Sequence, residues 1–321
     1  MDPRRPPSLQ DVRTAAEAIA GVAHRTPVIT CTSLDRLAGA QLFFKAENLQ
    51  KGGAFKFRGA TFAVKSLSDT EAARGVATHS SGNHAQALAL AAKTRGIPAY
   101  IVMPRDSMAA KRAAVESYGG QITECEPTLT AREETLASVV RTCGAEIIHP
   151  YDDARIIAGQ GTAALELLEE VPDLDAIVAP VGGGGLLAGT AIAGRGLRPS
   201  IRIVGAEPTL ADDAHRSLET GVRQPPRPPQ TVADGLRTAL GELNFAILRE
   251  TVDEIALVGE TGILEAMRLL WERAKLVVEP SGAVPLAALL SHAPPARQRI
   301  GVILSGGNVD LCRNPSCNFW H

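Results

Sequence analysis

Short apolar runs rich in β-branched residues alternate along this chain with longer stretches rich in alanine and leucine. Such runs fit buried parallel strands, and the longer stretches fit helices that cross from one strand to the next. Strands are predicted at residues 41–46, 75–78, 99–103, 121–124, 176–180, 201–206 and 300–304. Helices are predicted at residues 57–67, 84–95, 109–118, 130–143, 154–170, 186–195, 262–274 and 283–291. This order predicts an α/β fold in which open, mostly parallel sheets are wrapped by helices.

The length and charge of the chain exclude several classes of function. A chain of 321 residues can bury a sizeable core and suggests about two domains. Its formal net charge of -2 provides no basic field that would attract nucleic acid or an anionic membrane. The apolar runs are too short to cross a bilayer, so we expect a cytoplasmic protein.

The five cysteines are scattered and odd in number, so they do not indicate a disulfide framework. Cys312 and Cys317 form the one close pair, and His321 follows them at the end of the sequence. A metal or redox site is one interpretation of this tail. We favour unreactive thiols, because terminal segments are usually poorly ordered.

A run of four glycines lies between the predicted strand 176–180 and the helix that begins at Leu186. The run consists of Gly182, Gly183, Gly184 and Gly185. Without side chains, these residues can turn their N–H groups inward, and the following helix adds its positive end. The spacing is neither that of a dinucleotide fingerprint nor that of a P-loop. The run therefore predicts a phosphate site, with a plain flexible turn as the alternative.

Lys56 stands between two aromatic residues, Phe55 and Phe57, and Arg58 follows two positions later. A lysine that forms a Schiff base must lose its proton near neutral pH, and apolar or cationic neighbours lower its pKa. This environment makes Lys56 a candidate for such a lysine. Taken alone, the segment fits an ordinary surface lysine equally well.

Two further turns follow predicted strands. Residues 80–84, Ser-Ser-Gly-Asn-His, offer hydroxyls and helix N-terminal N–H groups that suit a carboxylate, although an ordinary capping turn is the alternative. A hydrolase triad built on Ser81 and His84 lacks the expected nucleophile motif. Ser305, after strand 300–304, offers a hydroxyl at the same edge of the sheet, because ligands of parallel sheets bind at the carboxyl ends of strands.

These segments, in this order, resemble the tryptophan-synthase-β-like pyridoxal-phosphate enzymes. Within that class the chain is similar to the serine/threonine dehydratases and serine racemases, and most similar to the eukaryotic-type serine racemases. The resemblance extends from Thr26 to Asp310. It rests on THSSGNHAQAL from Thr78, AGQGT from Ala158, PVGGGGLLAG from Pro180, GAEPTLADD from Gly205, TVADG from Thr231, WERAKLVVEPSGA from Trp271 and LSGGNVDL from Leu304.

The resemblance implies a cofactor, pyridoxal 5′-phosphate, held as a Schiff base by Lys56. It assigns the other cofactor contacts to Phe55 and Asn83 at the ring, to Gly182, Gly183, Gly184, Gly185 and Leu186 at the phosphate, and to Ser305 at the pyridine nitrogen. It also implies a large cofactor-binding domain formed by residues 1–68 and 151–321, with a small domain of residues 69–150 inserted in it.

For catalysis, the resemblance implies that Lys56 removes the Cα proton and that Ser81 is a second acid/base on the opposite face. Ser80, Ser81, Asn83, His84 and Arg132 are the implied substrate contacts. A serine at the pyridine nitrogen cannot hold that nitrogen protonated, so elimination is favoured over transamination. We therefore expect an ammonia-lyase acting on small β-hydroxy amino acids, with serine racemase and threo-3-hydroxyaspartate dehydratase as alternatives.

The resemblance further implies a divalent cation and an oligomer. Glu207, the carbonyl of Ala211 and Asp213 match a site that suits Mg²⁺ or Ca²⁺. A homodimer is expected, with ATP as an effector at its interface. The positions that match the effector site are Lys51, Gln86, Lys111, Tyr118, Arg273 and Lys275.

Three residues near the substrate depart from the pattern of this family, namely Ala54, Tyr151 and Thr238. Outside this chemistry, the fold alone would also suit a nucleotide-binding dehydrogenase or a non-catalytic amino-acid-binding protein. The dehydrogenase interpretation lacks the glycine fingerprint. A binding protein would have no use for Lys56.

Overall fold

The computed structural model describes residues 1–107, 109–228, 230–295 and 297–310, so Cys312, Cys317 and His321 lie outside the described residues. The strands are β1 (Val28–Ile29), β2 (Gln41–Ala46), β3 (Val76–His79), β4 (Ala99–Pro104), β5 (Gln121–Cys125), β6 (Glu146–Ile147), β7 (Ala176–Pro180), β8 (Arg202–Pro208), β9 (Glu254–Val258) and β10 (Arg299–Leu304). The helices are α1 (Leu9–Ile19), α2 (Thr32–Ala38), α3 (Lys56–Lys65), α4 (Asp69–Arg74), α5 (Asn83–Arg95), α6 (Ala109–Ser117), α7 (Leu129–Cys143), α8 (Ala154–Glu170), α9 (Gly185–Leu197), α10 (Asp213–Thr220), α11 (Glu242–Thr251), α12 (Glu260–Leu269) and α13 (Pro280–Ser291).

The larger sheet has six strands in the order β1-β2-β10-β7-β8-β9. β1 pairs antiparallel with β2, and the other pairs are parallel. Alternate residues of its strands point to opposite faces, so Val178 and Val302 pack with α12 and α13, whereas Ile177 and Ile303 pack with α8 and α9. Both faces are therefore covered by helices, as a parallel sheet requires.

The smaller sheet has four parallel strands in the order β5-β4-β3-β6. Its buried residues Ile101 and Met103 pack with alanines of α3 and α5. Helix α3 also packs against α8, which covers the larger sheet. Helix α3, which begins at Lys56, therefore lies between the two sheets.

The fold class predicted from the sequence is confirmed, and each predicted strand and helix is present with bounds within three residues. One exception is the end of the predicted helix 262–274, where residues Leu270–Ala274 form a π-helical turn. The two-residue strands β1 and β6, the strand β9 and the helices α1, α2, α4, α10 and α11 were not predicted. Among the described helices, none combines the length and the hydropathy needed to cross a membrane.

Candidate active site

Lys56 is held at the first residue of α3. Its Nζ donates to the carbonyl of Pro150 at 2.7 Å, and it lies 5.1 Å from the ring centroid of Phe55 and 5.9 Å from that of Tyr151. Burial lowers the pKa of Lys56 to about 8. A substantial fraction of this amine is therefore unprotonated at mildly alkaline pH, as a nucleophile or base requires.

The surroundings of Lys56 differ in part from the prediction. Phe57 points into the core between α3 and α5 and is 1% exposed. Arg58 is turned away into a buried ion cluster, where its Nε donates to Glu47 at 2.7 Å and its Nη1 to Glu166 at 2.7 Å. The idea that Arg58 lowers the pKa of Lys56 is wrong, because burial alone produces the shift.

The glycine run forms a buried loop between β7 and α9. Within the described residues, the N–H groups of Gly182, Gly183 and Gly184 make no hydrogen bond. The carbonyl of Gly183 is turned away from the loop and accepts from Gly241 N at 3.1 Å and Asn244 Nδ2 at 2.7 Å. Buried N–H groups without partners require an acceptor, so the loop and the adjoining helix N-terminus, with buried Leu186, fit a phosphate.

The loop of residues 149–153, which we call the 149–153 loop, joins Lys56 to the glycines. Tyr151 packs on Gly183 so closely that a Cβ at that glycine would overlap the ring. Asp152 accepts from the main-chain N–H groups of Glu242 and Asn244 at 2.9 and 3.2 Å. Sequence reasoning noticed Tyr151 only as a departure from the family pattern and missed the rest of this loop.

The other two departures from the family pattern also lie at this site. Ala54 forms an isolated β-bridge with Gly306. The hydroxyl of Thr238 lies against Gly182, within 3.0 Å of the position that a Cβ would take there. All three substitutions therefore contact the segments that carry Lys56, the glycine run or Ser305.

The turn between β3 and α5 contains the Ser80 and Ser81 hydroxyls and the N-terminal N–H groups of α5. Ser80 Oγ accepts from Gly82 N at 3.2 Å, and α5 begins at Asn83 without a side-chain cap. The imidazole of His84 is buried, with Nε2 3.2 Å from the carbonyl of Ile148. The other ring nitrogen of His84, Nδ1, is buried without a partner in the described residues.

Asn83 is fixed by two partners, the N-cap residue of α13 and a residue that follows β10. Its Nδ2 donates to Glu279 Oε1 at 2.8 Å, and its Oδ1 accepts from Asn308 Nδ2 at 3.0 Å. Burial raises the pKa of Glu279 to about 8, and Glu279 Oε2 is buried without a partner in the described residues. Sequence reasoning missed Glu279, because a glutamate before Pro280 looks like a helix cap.

Ser305 follows β10 of the larger sheet, and Arg132 belongs to a helix that packs on the smaller sheet. Ser305 is 3% exposed, and its carbonyl accepts from Phe55 N at 3.0 Å. Arg132 lies on α7, and its Nε is buried with no partner in the described part of the chain. The charge of Arg132 helps to lower the pKa of His79 at the end of β3, although burial of His79 contributes more.

The predicted cation ligands lie between β8 and α10. Glu207 is fully buried and accepts from the N–H groups of Ala214 and His215 at 3.0 and 2.8 Å. Burial raises the pKa of Glu207 and of Asp213, and the charge of Asp213 raises that of Glu207 further. Two buried carboxylates beside the buried Ala211 fit a divalent cation, although the described residues contain no metal-binding group of three or more His, Cys, Asp or Glu side chains.

Lys111 and Lys275, two of the residues that match the effector site, are already engaged within the chain, and Lys275 Nζ donates to the carbonyl of Glu272 at 2.8 Å. Lys111 Nζ forms an ion pair with Asp234 at 2.5 Å, which joins α6 to the 3-10 turn Asp234–Leu236. Gln86 is 5% exposed on α5. Lys275 ends the π-helical turn in the left-handed conformation, with φ 60°.

Comparisons with known proteins agree with this geometry. A family described as "Pyridoxal-phosphate dependent enzyme" matches residues 19–306. The β-hydroxyaspartate dehydratase of Paracoccus denitrificans (strain Pd 1222) is 50% identical over 310 residues, which cover 96% of this chain and 98% of that protein. The crystal structure of serine racemase from Dictyostelium discoideum has a TM-score of 0.91 and 47% identity, covering 94% of this chain and 99% of that chain. The crystal structure of a threonine deaminase from T.th. has a TM-score of 0.90 and 48% identity, covering 95% of this chain and 99% of that chain.

Proposed function

Because the chain belongs to the pyridoxal-phosphate-dependent enzymes, we propose that it is an ammonia-lyase acting on small β-hydroxy amino acids. L-serine or L-threonine would be converted to a 2-oxo acid and ammonia. The observation that carries the proposal is the Lys56 amine, with its pKa of about 8, joined through the 149–153 loop to buried glycine N–H groups that lack partners.

Each contact with the cofactor would come from a residue whose position suits it. Pyridoxal phosphate, when bound, supplies an electron sink that acidifies the Cα–H bond of an amino acid. Lys56 would hold it covalently, and the neutral hydroxyl of Ser305 would face the ring nitrogen. The phosphate would be held by Gly182, Gly183, Gly184, Gly185 and Leu186, and the ring by Phe55 and Asn83.

Lys56 would also carry the proton of the reaction. Its neutral amine takes the proton from Cα, and the electron pair of the Cα–H bond forms a Cα–Cβ double bond. The Cβ–O bond breaks, and the oxygen takes the electron pair of the Cβ–O bond and the proton from Lys56 and leaves as water. The unsaturated amino acid that is released then takes up one water to give the 2-oxo acid and ammonia. A base with a pKa of about 8 both accepts and returns a proton near neutral pH.

The substrate carboxylate would lie at the N-terminus of α5. The hydroxyls of Ser80 and Ser81 and the main-chain N–H groups of Asn83 and His84 suit an anion, because the first turn of a helix has unpaired donors. Arg132 would approach from α7 with a guanidinium Nε that has no partner among the described residues.

Assays of three substrates test this function. Holoenzyme is incubated with L-serine, L-threonine and threo-3-hydroxyaspartate, and 2-oxo acid and D-isomer are measured together. We expect 2-oxo acid as the main product from at least one of them. The β-hydroxyaspartate dehydratase among the relatives makes the third substrate the main alternative to the first two. Dominant D-serine with little pyruvate would overturn the proposal.

Serine racemase activity is the second candidate, and Ser81 favours it. A hydroxyl on the face opposite Lys56 could return a proton to Cα and invert the amino acid. We expect Ser81→Ala to lower D-serine formation about 10²-fold, the low end for loss of one acid/base group, while 2-oxo acid formation persists. Chiral chromatography of both products checks this, and unchanged racemisation in the variant would remove Ser81 from the mechanism.

We also propose a divalent cation, Mg²⁺ or Ca²⁺, bound by Glu207, the carbonyl of Ala211 and Asp213. Addition of Mg²⁺ at about 100 times its Kd should raise the free energy of unfolding by about 2.7 kcal/mol, and a chelator should reverse the gain. Thermal unfolding with and without chelator measures the effect. In Asp213→Asn, Mg²⁺ and chelator should leave the free energy of unfolding unchanged. If neither changes the thermal unfolding of the wild type, the proposed cation site is wrong.

The remaining predictions concern organisation. We propose a large domain of residues 1–68 and 151–321 and a small domain of residues 69–150, a division supported by the separate six- and four-stranded sheets. A homodimer and an ATP effector contacted by Lys51, Gln86, Lys111, Tyr118, Arg273 and Lys275 stay predictions. Sedimentation analysis and nucleotide titration would test them.

A further inference from the structure

His149, the first residue of the 149–153 loop, has its tautomer fixed by the main chain. Its Nδ1 lies 2.8 Å from Asp152 N and 3.3 Å from Tyr151 N, both of which donate to it. A ring nitrogen that accepts hydrogen bonds cannot itself carry a proton. The neutral imidazole therefore carries its one proton on Nε2.

The imidazole of His149 is uncharged at neutral pH. Burial, together with the nearby charges of His79 and Lys56, lowers the pKa of His149 to about 4. Protonation would also break both main-chain hydrogen bonds at Nδ1. His149 is thus a hydrogen-bond donor through Nε2 and not a proton store.

His149 lies close enough to Lys56 for the charge of Lys56 to contribute to its lowered pKa. The next residue, Pro150, accepts the hydrogen bond from Lys56 Nζ at 2.7 Å. The imidazole packs edge-on against Tyr151 with centroids 4.6 Å apart, and the Tyr151 ring is itself 5.9 Å from Lys56 Nζ. Across the described residues Nε2 makes no hydrogen bond, and it is not among the buried atoms without a partner, so it remains accessible.

We propose that the Nε2–H group of His149 donates a hydrogen bond to the β-oxygen of the substrate as the Cβ–O bond breaks. This inference rests on the proposed function, in which the oxygen departs with the electron pair of that bond and receives its proton from Lys56. His149 keeps its own proton and stabilises the negative charge that develops on the oxygen. A neutral imidazole donor suits this role, and loss of one such donor typically costs about 10²–10³-fold in kcat.

The variant His149→Asn separates the two functions of the ring. The asparagine Oδ1 can accept from the same main-chain N–H groups, as in an Asx turn, but the side chain is too short to replace Nε2–H. Holoenzyme is assayed with the best β-hydroxy substrate and with β-chloro-L-alanine, whose chloride leaves without a hydrogen-bond donor. We expect kcat to fall about 10²-fold on the hydroxy substrate, within the range for one lost donor, and less than about 3-fold on the chloro substrate.

Exchange of the Cα proton with deuterated water gives an independent readout. We expect His149→Asn to keep the exchange rate of the wild type, because Lys56 performs that step. His149→Gln restores an amide donor and should recover part of the loss on the hydroxy substrate. The ratio of rates on the two substrates does not depend on how much of a variant is folded, so a poorly folding variant still gives an answer.

Equal losses on the hydroxy and chloro substrates, or no loss on either, would overturn the inference. Those outcomes are distinct from failure of the proposed function, in which the wild-type enzyme itself eliminates water from none of the three hydroxy amino acids.

Discussion

Replacing Lys56 with alanine is expected to abolish turnover of every amino acid substrate. The variant loses both the amine that would bind the cofactor covalently and the base that would remove the Cα proton. The base alone typically contributes about 10²–10⁴-fold, so the combined loss should be at least of that order. Initial rates of 2-oxo acid formation measure it. Borohydride reduction followed by mass spectrometry should place the cofactor on Lys56 in the wild type and nowhere in the variant.

Lys65→Ala is the matched control for this experiment. Lys65 ends the same helix, and its Nζ donates to the exposed carbonyl of Ala18 at 2.7 Å, away from Pro150. This variant should keep the cofactor adduct and most of its activity. Full activity of Lys56→Ala, or a cofactor adduct on another lysine, would show that Lys56 is not the residue that binds the cofactor.

Replacing Arg58 with methionine should give the largest loss of stability. Arg58 is fully buried and bridges Glu47, also fully buried, to Glu166. Its removal leaves the buried Glu47 and the partly buried Glu166 with Lys45, which pairs with Glu166 at 2.6 Å, as their remaining cation. Breaking a buried ion cluster in this way costs about 3–5 kcal/mol in the free energy of unfolding. Denaturant unfolding of the wild type and the variant measures the difference.

Arg268→Met tests whether burial is the cause. Arg268 also pairs with two glutamates, Glu265 and Glu272, at 2.6 Å each, but its side chain is 52% exposed. Solvent screens such pairs, so this variant should lose much less stability than Arg58→Met. If both variants lose a similar amount of free energy of unfolding, burial is not the cause of the loss in Arg58→Met.

The fold could be predicted from sequence because its signals are periodic and local. The pattern of apolar residues within β7 and within α8 is enough to identify each element, and both were predicted with their observed bounds. Strands β1 and β6 have two residues each, and only pairing with a neighbour defines them. Helix α10 begins at Asp213, in an acidic segment whose local composition indicated only a turn and a helix start, not the extent of the helix.

The direction of side chains could not be predicted in the same way. Lys56 and Arg58 are two positions apart on α3, so their side chains point in different directions. Lys56 contacts Pro150, whereas Arg58 contacts Glu47 and Glu166 in the core. Glu279 serves as the N-cap residue of α13, but its carboxylate reaches Asn83 on the helix that follows β3. The tautomer of His149 is set by two main-chain N–H groups in its own loop, which donate to Nδ1. Each case depends on tertiary contacts that no spacing in the sequence encodes.

The position of β10 in the larger sheet determines when, during synthesis and folding, the cofactor site is completed. β10 lies between β2 and β7 and pairs residue for residue with β2, although roughly 250 residues of chain separate them. The segment before Lys56 is tied to the end of β10 through the Ala54–Gly306 bridge and the Phe55–Ser305 hydrogen bond. During synthesis, the amine therefore gains its final neighbours only after the chain as far as Gly306 has left the ribosome. Loading of the coenzyme should consequently be a late event, coupled to closure of long-range strand pairs rather than to early helix formation.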